Sequence, residues 1–230
     1  LNAFVIRGIS SNIPFQAALL AHSRFVSGEF NIGFIGEHYA QGFTADSVKH
    51  DDPEFLIALA AMLRRKIRER AAGISGQLRG YGVAADKQFV VVSYDADGHA
   101  SYTDVHFEAY VADTGFARVR TPGRSYDIST RSRLSDLCVT GTVNGHPFTV
   151  QVDRGTGKSP LAVRLQHNGT RLEAQVMSKR QAELHRLMPF KAPPDLSRFV
   201  LSPMPGLLVD VAVKPGQKVQ AGERVAVIEA

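Results

Sequence analysis

The sequence contains one cysteine, Cys138, in 230 residues, which excludes an internal disulfide and a cysteine-rich metal site. Its neighbours Leu137 and Val139 are apolar, so a buried packing thiol is expected rather than a reactive one, and a reducing compartment fits. No stretch is long and apolar enough for a transmembrane helix, and no membrane partner is expected. The chain opens Leu1-Asn2-Ala3-Phe4, with neither an initiating Met nor a signal-peptide pattern, and both ends read as cuts through a longer polypeptide. The eight histidines never pair at helical i, i+4 spacing, so no zinc motif is visible. No set of nucleophile, base and orienting residue emerges, and no catalytic residue is assigned.

Charge is not scarce, but it is dispersed. The net charge is +5 and the pI near 9.5, values compatible with nucleic-acid binding. The basic residues are nevertheless spread along the chain, except for Arg64 to Arg70, which on a helix reads as a solvated face with snorkelling stems. No nucleic-acid partner is therefore expected; a nucleic-acid-binding barrel would show binding that falls steeply with salt. Gly155-Thr156-Gly157-Lys158-Ser159 resembles the tail of a phosphate-binding loop, but Val152 stands where the leading glycine belongs and the stretch joins two strands. Asp95-Ala96-Asp97-Gly98 opens like a calcium loop, but His106 occupies the position of the closing glutamate, and a hairpin turn fits better. Asn168-Gly169-Thr170 matches a glycosylation acceptor without any sign of secretion.

Taken in order, residues 1–39 read as two helical turns and a strand. Ser11 or Asn12 caps a helix with Pro14 in its first turn, Phe15, Leu19 and Leu20 line one face, and Phe34-Ile35 is a short buried strand or turn. Residues 40–52 are a polar linker. Asp51 or Asp52 then caps a helix over 53–72, with Pro53 at its first position and an apolar stripe of Phe55, Leu59, Met62, Leu63 and Ile67. Residues 73–86 are glycine-rich, long for a connection in a compact domain, and carry the apolar Leu78, Tyr81 and Val83 on what should be an exposed loop, a candidate partner contact.

From 87 to 177 the pattern is all strand: about eight short runs in meander order, with Asn144-Gly145 and Asn168-Gly169 as two-residue hairpin turns. In the second run Val105, Phe107, Ala109 and Val111 alternate with polar residues. Eight strands close a small barrel, and the preceding helix could insert into it or cap it. Residues 181–200, with Pro189, Pro193 and Pro194, suit a tether. The expected fold class is α+β, mainly β: a long helix with an eight-stranded antiparallel barrel.

The stretch Leu201–Ala230 breaks into short strands at Pro215-Gly216 and Ala221-Gly222. Ser202-Pro203-Met204-Pro205-Gly206, Val213-Lys214, Gly216, Val219, Gly222 and Val227-Ile228-Glu229-Ala230 resemble the amino-terminal half of a biotinyl carrier domain. Gln217 departs from that family's usual Asp, at an exposed turn. Lipoyl domains share the fold but differ at the hairpin, so Glu229-Ala230 favours biotin. The resemblance implies that Met204, Glu229 and Ala230 flank the biotin motif and that the acceptor lysine lies beyond Ala230; neither Lys214 nor Lys218 is assigned that role.

Gly8-Ile9, Asn12-Ile13-Pro14-Phe15, His22, Phe25, Gly28 and Phe34-Ile35 resemble the carboxy-terminal end of a biotin carboxylase domain, with Ser11 for the usual Thr. A helix and eight-stranded barrel between these two pieces resembles the BT domain of biotin-dependent acyl-CoA carboxylase α subunits, those for propionyl-CoA and methylcrotonoyl-CoA. Ala182-Glu183-Leu184, Met188-Pro189 and Lys191 are similar to the propionyl-CoA members in particular.

The implied organisation is a biotin carboxylase end at 1–39, a linker at 40–52, a BT domain at 53–180, a linker at 181–200 and a biotinyl half at 201–230. The resemblance further implies that loop 73–86 is a hook, with Gly73, Ile74, Leu78, Arg79, Tyr81 and Val83 meeting a carboxyltransferase β subunit in a large α/β hetero-oligomer. Biotin, attached by a biotin ligase, and ATP with Mg would act elsewhere in the polypeptide, with an acyl-CoA as the substrate of the whole enzyme. The compartment would be cytoplasmic in a bacterium and the mitochondrial matrix in a eukaryote. A non-enzymatic scaffold with a lipoyl-type arm is the alternative of another class.

Overall fold

A computed structural model describes the chain except residues 7–10, 41, 44–51, 79–85, 96–97, 156–158, 160, 190–198, 203–205, 221 and 230. The chain divides into two compact units, Leu1–Lys191 and Ala192–Ala230.

The first unit is built on a closed barrel of eight antiparallel strands in sequential order. These are β1 (Gln88–Tyr94), β2 (Ala100–Val111), β3 (Phe116–Arg120), β4 (Ser125–Ser129), β5 (Cys138–Val143), β6 (His146–Arg154), β7 (Ala162–His167) and β8 (Thr170–Met177). The last strand returns to the first, Val91 opposite Val176, so the sheet has no free edge. Both Asn-Gly turns form as expected: Asn144 (φ 50°) and Gly145 (φ 84°) close β5–β6, and Asn168 (φ 47°) and Gly169 (φ 81°) close β7–β8. Two consecutive left-handed residues match the twist of the strands they join.

Helices α1 (Ile13–Ala21), α2 (Ser23–Val26) and α3 (Phe34–His38) precede helix α4 (Pro53–Ala72). α4 occupies the barrel interior. Phe55, Leu56, Ala58, Leu59, Ala60, Ala61, Met62 and Leu63 are all buried and share one cluster with the inward residues of the barrel. The helix is thus enclosed on every side over its first half, rather than along one stripe, as expected of a helix apolar all round. Of the two options, insertion or capping, insertion is the one found. At its N-terminus the Asp52 side chain does not cap the helix. Instead it accepts the Tyr126 hydroxyl at 2.6 Å and pairs with Arg124 at 3.3 Å, while Thr121 donates to Glu54 at 2.7 Å. Burial first, and then the Asp52 carboxylate, push the Tyr126 hydroxyl above its ordinary pKa.

Other local expectations are corrected as well. The alternation in β2 fails at a bulge between Phe107 and Ala109, which sets Glu108 outward and turns Tyr110 toward the core, leaving Val111 exposed. Phe34-Ile35 is no strand but the start of α3, with Phe34 buried and Ile35 exposed. In α1 the buried residues are Ala17 and Ala18, not a face of Phe15, Leu19 and Leu20. The Cys138 thiol is half-buried beside the Ala3 carbonyl, and burial raises its pKa.

α1 meets the barrel at the β7–β8 turn, where a Cβ on Gly169 would stand 2.6 Å from the Pro14 carbonyl oxygen. Asn2 donates to Asn168, and Gln151 donates to the Phe4 carbonyl. The stretch from 181, expected as a tether, begins instead inside helix α5 (Lys179–Arg186). A capping box of Ser178 and Gln181 starts this helix. Ala182 packs it on Val90, Val92 and Met177, and His185 lies between the hydroxyls of Tyr94 (3.2 Å) and Tyr102 (2.8 Å).

In the second unit β9 (Leu207–Val211) and β10 (Ala226–Glu229) pair antiparallel. Gly216 takes φ +85° in the Pro215-Gly216 turn, and the Gln217 side chain accepts from the Lys214 amide at 3.1 Å. Gln217 thereby keeps a turn-closing acceptor where the biotinyl pattern has Asp. Leu207, Leu208, Val209 and Val211 are exposed, more than half in each case.

Candidate functional site at the helix exit

α4 enters the barrel at the end carrying the β3–β4, β5–β6 and β7–β8 turns and leaves at the opposite mouth. Over residues 64–72 burial turns partial, and here the basic run lies. It is not simply a solvated face. The Lys66 ammonium donates to the Ser132 carbonyl, and Arg154 at the end of β6 donates to the carbonyls of Leu134 and Asp136. These bonds tie the segment between β4 and β5 across the mouth. Burial lowers the pKa of Arg64, Lys66 and Arg154 alike. Arg65 stacks over the Tyr110 ring at 4.8 Å, a contact available only because the β2 bulge turns Tyr110 inward.

The glycine-rich segment is pinned at both described ends. At its start Gln77 donates through its side-chain amide to the carbonyls of Ala71, Ala72 and Ile74, at 3.0–3.1 Å. Ala71 and Ala72 belong to the last turn of α4, whose carbonyls have no donor further along the helix, and Ala71 also accepts the Ile74 amide. At its close Arg65 donates to the Asp86 carbonyl at 2.5 Å, and Arg68 pairs with the Asp86 carboxylate at 3.6 Å. Gly73 caps α4 in ordinary right-handed geometry, whereas Gly76, at φ +80°, uses the left-handed freedom of glycine. Ile74 and Leu78 are 61% and 77% exposed, two apolar side chains in water on the same short stretch.

Of the residues expected to meet a partner, Gly73, Ile74 and Leu78 fall on this pinned, exposed stretch, whereas Arg79, Tyr81 and Val83 lie outside the described residues. Of the expected biotin-flanking residues, Glu229 ends β10, paired with Leu207; Met204 and Ala230 lie outside the described residues. The pins, Gln77 and Asp86, were not singled out from sequence. Neither residue type announces itself, because each acts on a partner fixed only by the fold.

The family model described as propionyl-coenzyme A carboxylase BT domain matches residues 56–191, from inside α4 to beyond α5. The chain belongs to this family. The BT-domain match takes in α5, in agreement with the helix docked on β1 and β8. Among its relatives is the propionyl-CoA carboxylase alpha chain of Ruegeria pomeroyi, 34% identical over 230 residues, covering 100% of this chain and 32% of that one. The mitochondrial propionyl-CoA carboxylase alpha chain of Caenorhabditis briggsae is 31% identical over 236 residues, covering 100% of this chain and 32% of that one. Biotin carboxylase 1 of Bacillus subtilis is 50% identical over 42 residues, 18% of this chain and 9% of that one. The chain therefore spans about a third of the length of the propionyl-CoA carboxylase alpha chains it matches.

Proposed function

We propose that this chain is the assembly and tethering segment of the α subunit of a biotin-dependent propionyl-CoA carboxylase, acting in the cytoplasm of a bacterium or the mitochondrial matrix of a eukaryote. The helix and barrel bridge to a carboxyltransferase β subunit through loop 73–86, and the segment from Leu201 begins the biotin carrier. Among the described residues no group of three or more His, Cys, Asp or Glu could hold a metal ion. These residues do not fit an ATP–Mg site, so no bond-making step is assigned to them. The supporting observation is the double pinning of the loop. A connection meant only to span would not need Gln77 and Asp86 fixed to α4, nor Ile74 and Leu78 exposed on either side of Gln77. The relatives' names favour propionyl-CoA over methylcrotonoyl-CoA, and nothing in the β9–β10 unit favours a lipoyl arm.

The test is made on the full-length subunit. Replacing residues 73–86 by a Gly/Ser linker should abolish association with the carboxyltransferase subunit in sedimentation velocity and leave the barrel's melting temperature unchanged. Undiminished association would overturn the bridging role. The intact mass after treatment with biotin ligase should rise by one biotin; a lipoyl mass would remove the carboxylase reading.

A further inference from the structure

The arginines on β3, the β3–β4 turn, β7 and β8 all have a carboxylate partner. Arg118 pairs with Asp127, Arg120 with Glu108 and Arg124 with Asp52, and Arg164 and Arg171 share Glu173. The exit mouth differs. Arg70, Arg131 and Arg133 are exposed there, and among the described residues their side chains have no ion pair and no hydrogen bond. The three belong to one patch: the Lys66 ammonium reaches the Ser132 carbonyl, between Arg131 and Arg133, and Arg70 lies one turn beyond Lys66 on the same face of α4.

The charge around the patch does not offset it. Burial first, and then the neighbouring Arg68, lowers the pKa of Arg64, so cations here stand close enough to repel one another. The carboxylates at this mouth are committed elsewhere: Glu69 to Arg65, Asp86 to Arg68, and Asp136 to the Arg133 backbone amide. Asp113, in the β2–β3 turn, pairs with none of the three arginines. Residues 79–85, before Asp86, and 156–158, after Gly155, lie outside the described residues, and their sequence contains no Asp or Glu. A patch of one sign gathers opposite charge. Its surroundings select a protein as the source of that charge. Arg70 stands four residues before the exposed Ile74, so apolar side chains are bordered by cations, as in a protein interface with an apolar centre and a polar rim. Arginine is also the cation enriched at such interfaces. A nucleic acid is held by cations that neutralise its phosphates, and Ile74 and Leu78 add nothing to that.

We propose that this mouth docks on an acidic surface, rich in Asp and Glu, of the polypeptide that the helix-exit loop contacts, with Arg70, Arg131 and Arg133 as the cations that meet it. The proposal rests on the bridging role above and adds the charge of the partner.

The experiment uses the full-length subunit and its carboxyltransferase partner, with association followed by stopped-flow fluorescence at about 50 and about 300 mM NaCl, either side of physiological screening. Charges at the rim of an interface act on the association rate and its salt dependence. The wild-type rate should therefore fall as salt rises. The triple variant Arg70→Gln, Arg131→Gln, Arg133→Gln should associate about tenfold more slowly at the lower salt and show a flatter fall. A second triple variant, Arg118→Gln, Arg164→Gln, Arg171→Gln, removes the same net charge from the outer wall and should change the rate less than about threefold. The three mouth arginines have no ion pair to lose, so their variant should keep the wild-type melting temperature. A wild-type rate that ignores salt overturns the inference without any variant. Equal rates for wild type and the mouth variant overturn it too, even if replacing residues 73–86 still abolishes assembly, and so does equal slowing by the two triple variants. Duplex DNA retained by wild type and lost by the mouth variant, with subunit association unchanged, would give the patch to a nucleic acid and overturn it as well. Failure of the wild-type chain to associate at all would instead remove the bridging role on which the inference rests.

Discussion

The enclosure of α4 makes a prediction that a surface helix would not. On a helical wheel Ala61 lies roughly 160° from the centre of the stripe formed by Phe55, Leu59, Met62, Leu63 and Ile67. If α4 lay on the barrel by that stripe, Ala61 would face water. Ala61→Leu would then cost almost nothing, since Leu and Ala differ little in helix propensity and exposed changes stay within about 0.5 kcal/mol. In the structure Ala61 is 0% exposed, as are Ala58 and Leu59. Three added carbon atoms must enter a closed sheet that cannot open at an edge. The expected loss is about 1–3 kcal/mol from overpacking, or about 2–4 °C in melting temperature for each kcal/mol in a unit of this size. The assay is thermal unfolding of the chain, with hydrogen–deuterium exchange confirming that β1 to β8 report the transition. Leu59→Ala serves as a scale, expected to cost about 2–5 kcal/mol. An Ala61→Leu melting temperature equal to wild type, beside a normal Leu59→Ala loss, would refute the enclosed helix.

The remaining expectations concern the barrel seam and the helix entry. β4 and β5 share only two registered pairs, and a Cβ on Gly141 would stand 2.1 Å from the Ser129 carbonyl oxygen; Gly141→Ala should cost about 3 kcal/mol, at the upper end of ordinary single changes, and accelerate exchange in β4 and β5 first, so unchanged exchange would count against this seam. For Tyr126, a folded-state pKa raised above the ordinary value of 10.0 contributes stability that is present below that pH and lost as pH rises above it. Tyr126→Phe should therefore lose about 1.5–3 kcal/mol at neutral pH with its bond to Asp52, yet show a shallower fall in melting temperature on the alkaline side, and parallel alkaline curves would contradict the assignment.

Those features written in local chemistry were legible. Pro53 and Gly73 bracket α4 because one residue type suits a first turn and the other ends a helix. The two Asn-Gly dipeptides fix β5–β6 and β7–β8 because few residues accept two successive positive φ values. What failed depended on a single extra residue or on distant partners. The bulge at Glu108 shifts the phase of β2 by one residue, so an unbroken alternation assigned Val111 to the core in place of Tyr110. The apolar run Phe55–Leu63 did carry a signal of all-round burial, but its alanines are neutral to a stripe analysis and informative only once a surrounding sheet is assumed. For α5, Ser178 and Gln181 stood at capping-box spacing, while the prolines downstream favoured an extended tether. At the candidate site the exposed Ile74 and Leu78 could be read from a loop too apolar for its place. The groups that hold it, Gln77, Arg65, Arg68 and Asp86, could not, since their meeting requires the helix and β1 to be already in position.

The architecture also explains how such a loop can be exposed and yet held. A closed barrel offers no strand edge for a partner to extend, so the proposed bridging role would fall to side chains at its mouths and to whatever projects from them. α4 is gripped at entry by the contacts of Asp52 and Glu54 with the β3–β4 turn, along its middle by the core, and at exit by Lys66 beneath the β4–β5 segment. Sliding along its axis would break all three at once. Gly73 therefore begins the loop from a fixed point, and Gln77 and Asp86 restrict it further without burying Ile74 or Leu78. If the loop binds a partner as proposed, fixing these two ends removes part of the ordering cost that a loop free at both ends would bear. It also separates the two kinds of damage a substitution can do. Changes at Ala61 or Gly141 act on the barrel and reach the loop only by unfolding it, whereas changes at Gln77 or Asp86 loosen the loop on an intact barrel, and should weaken association without lowering the melting temperature of the strands.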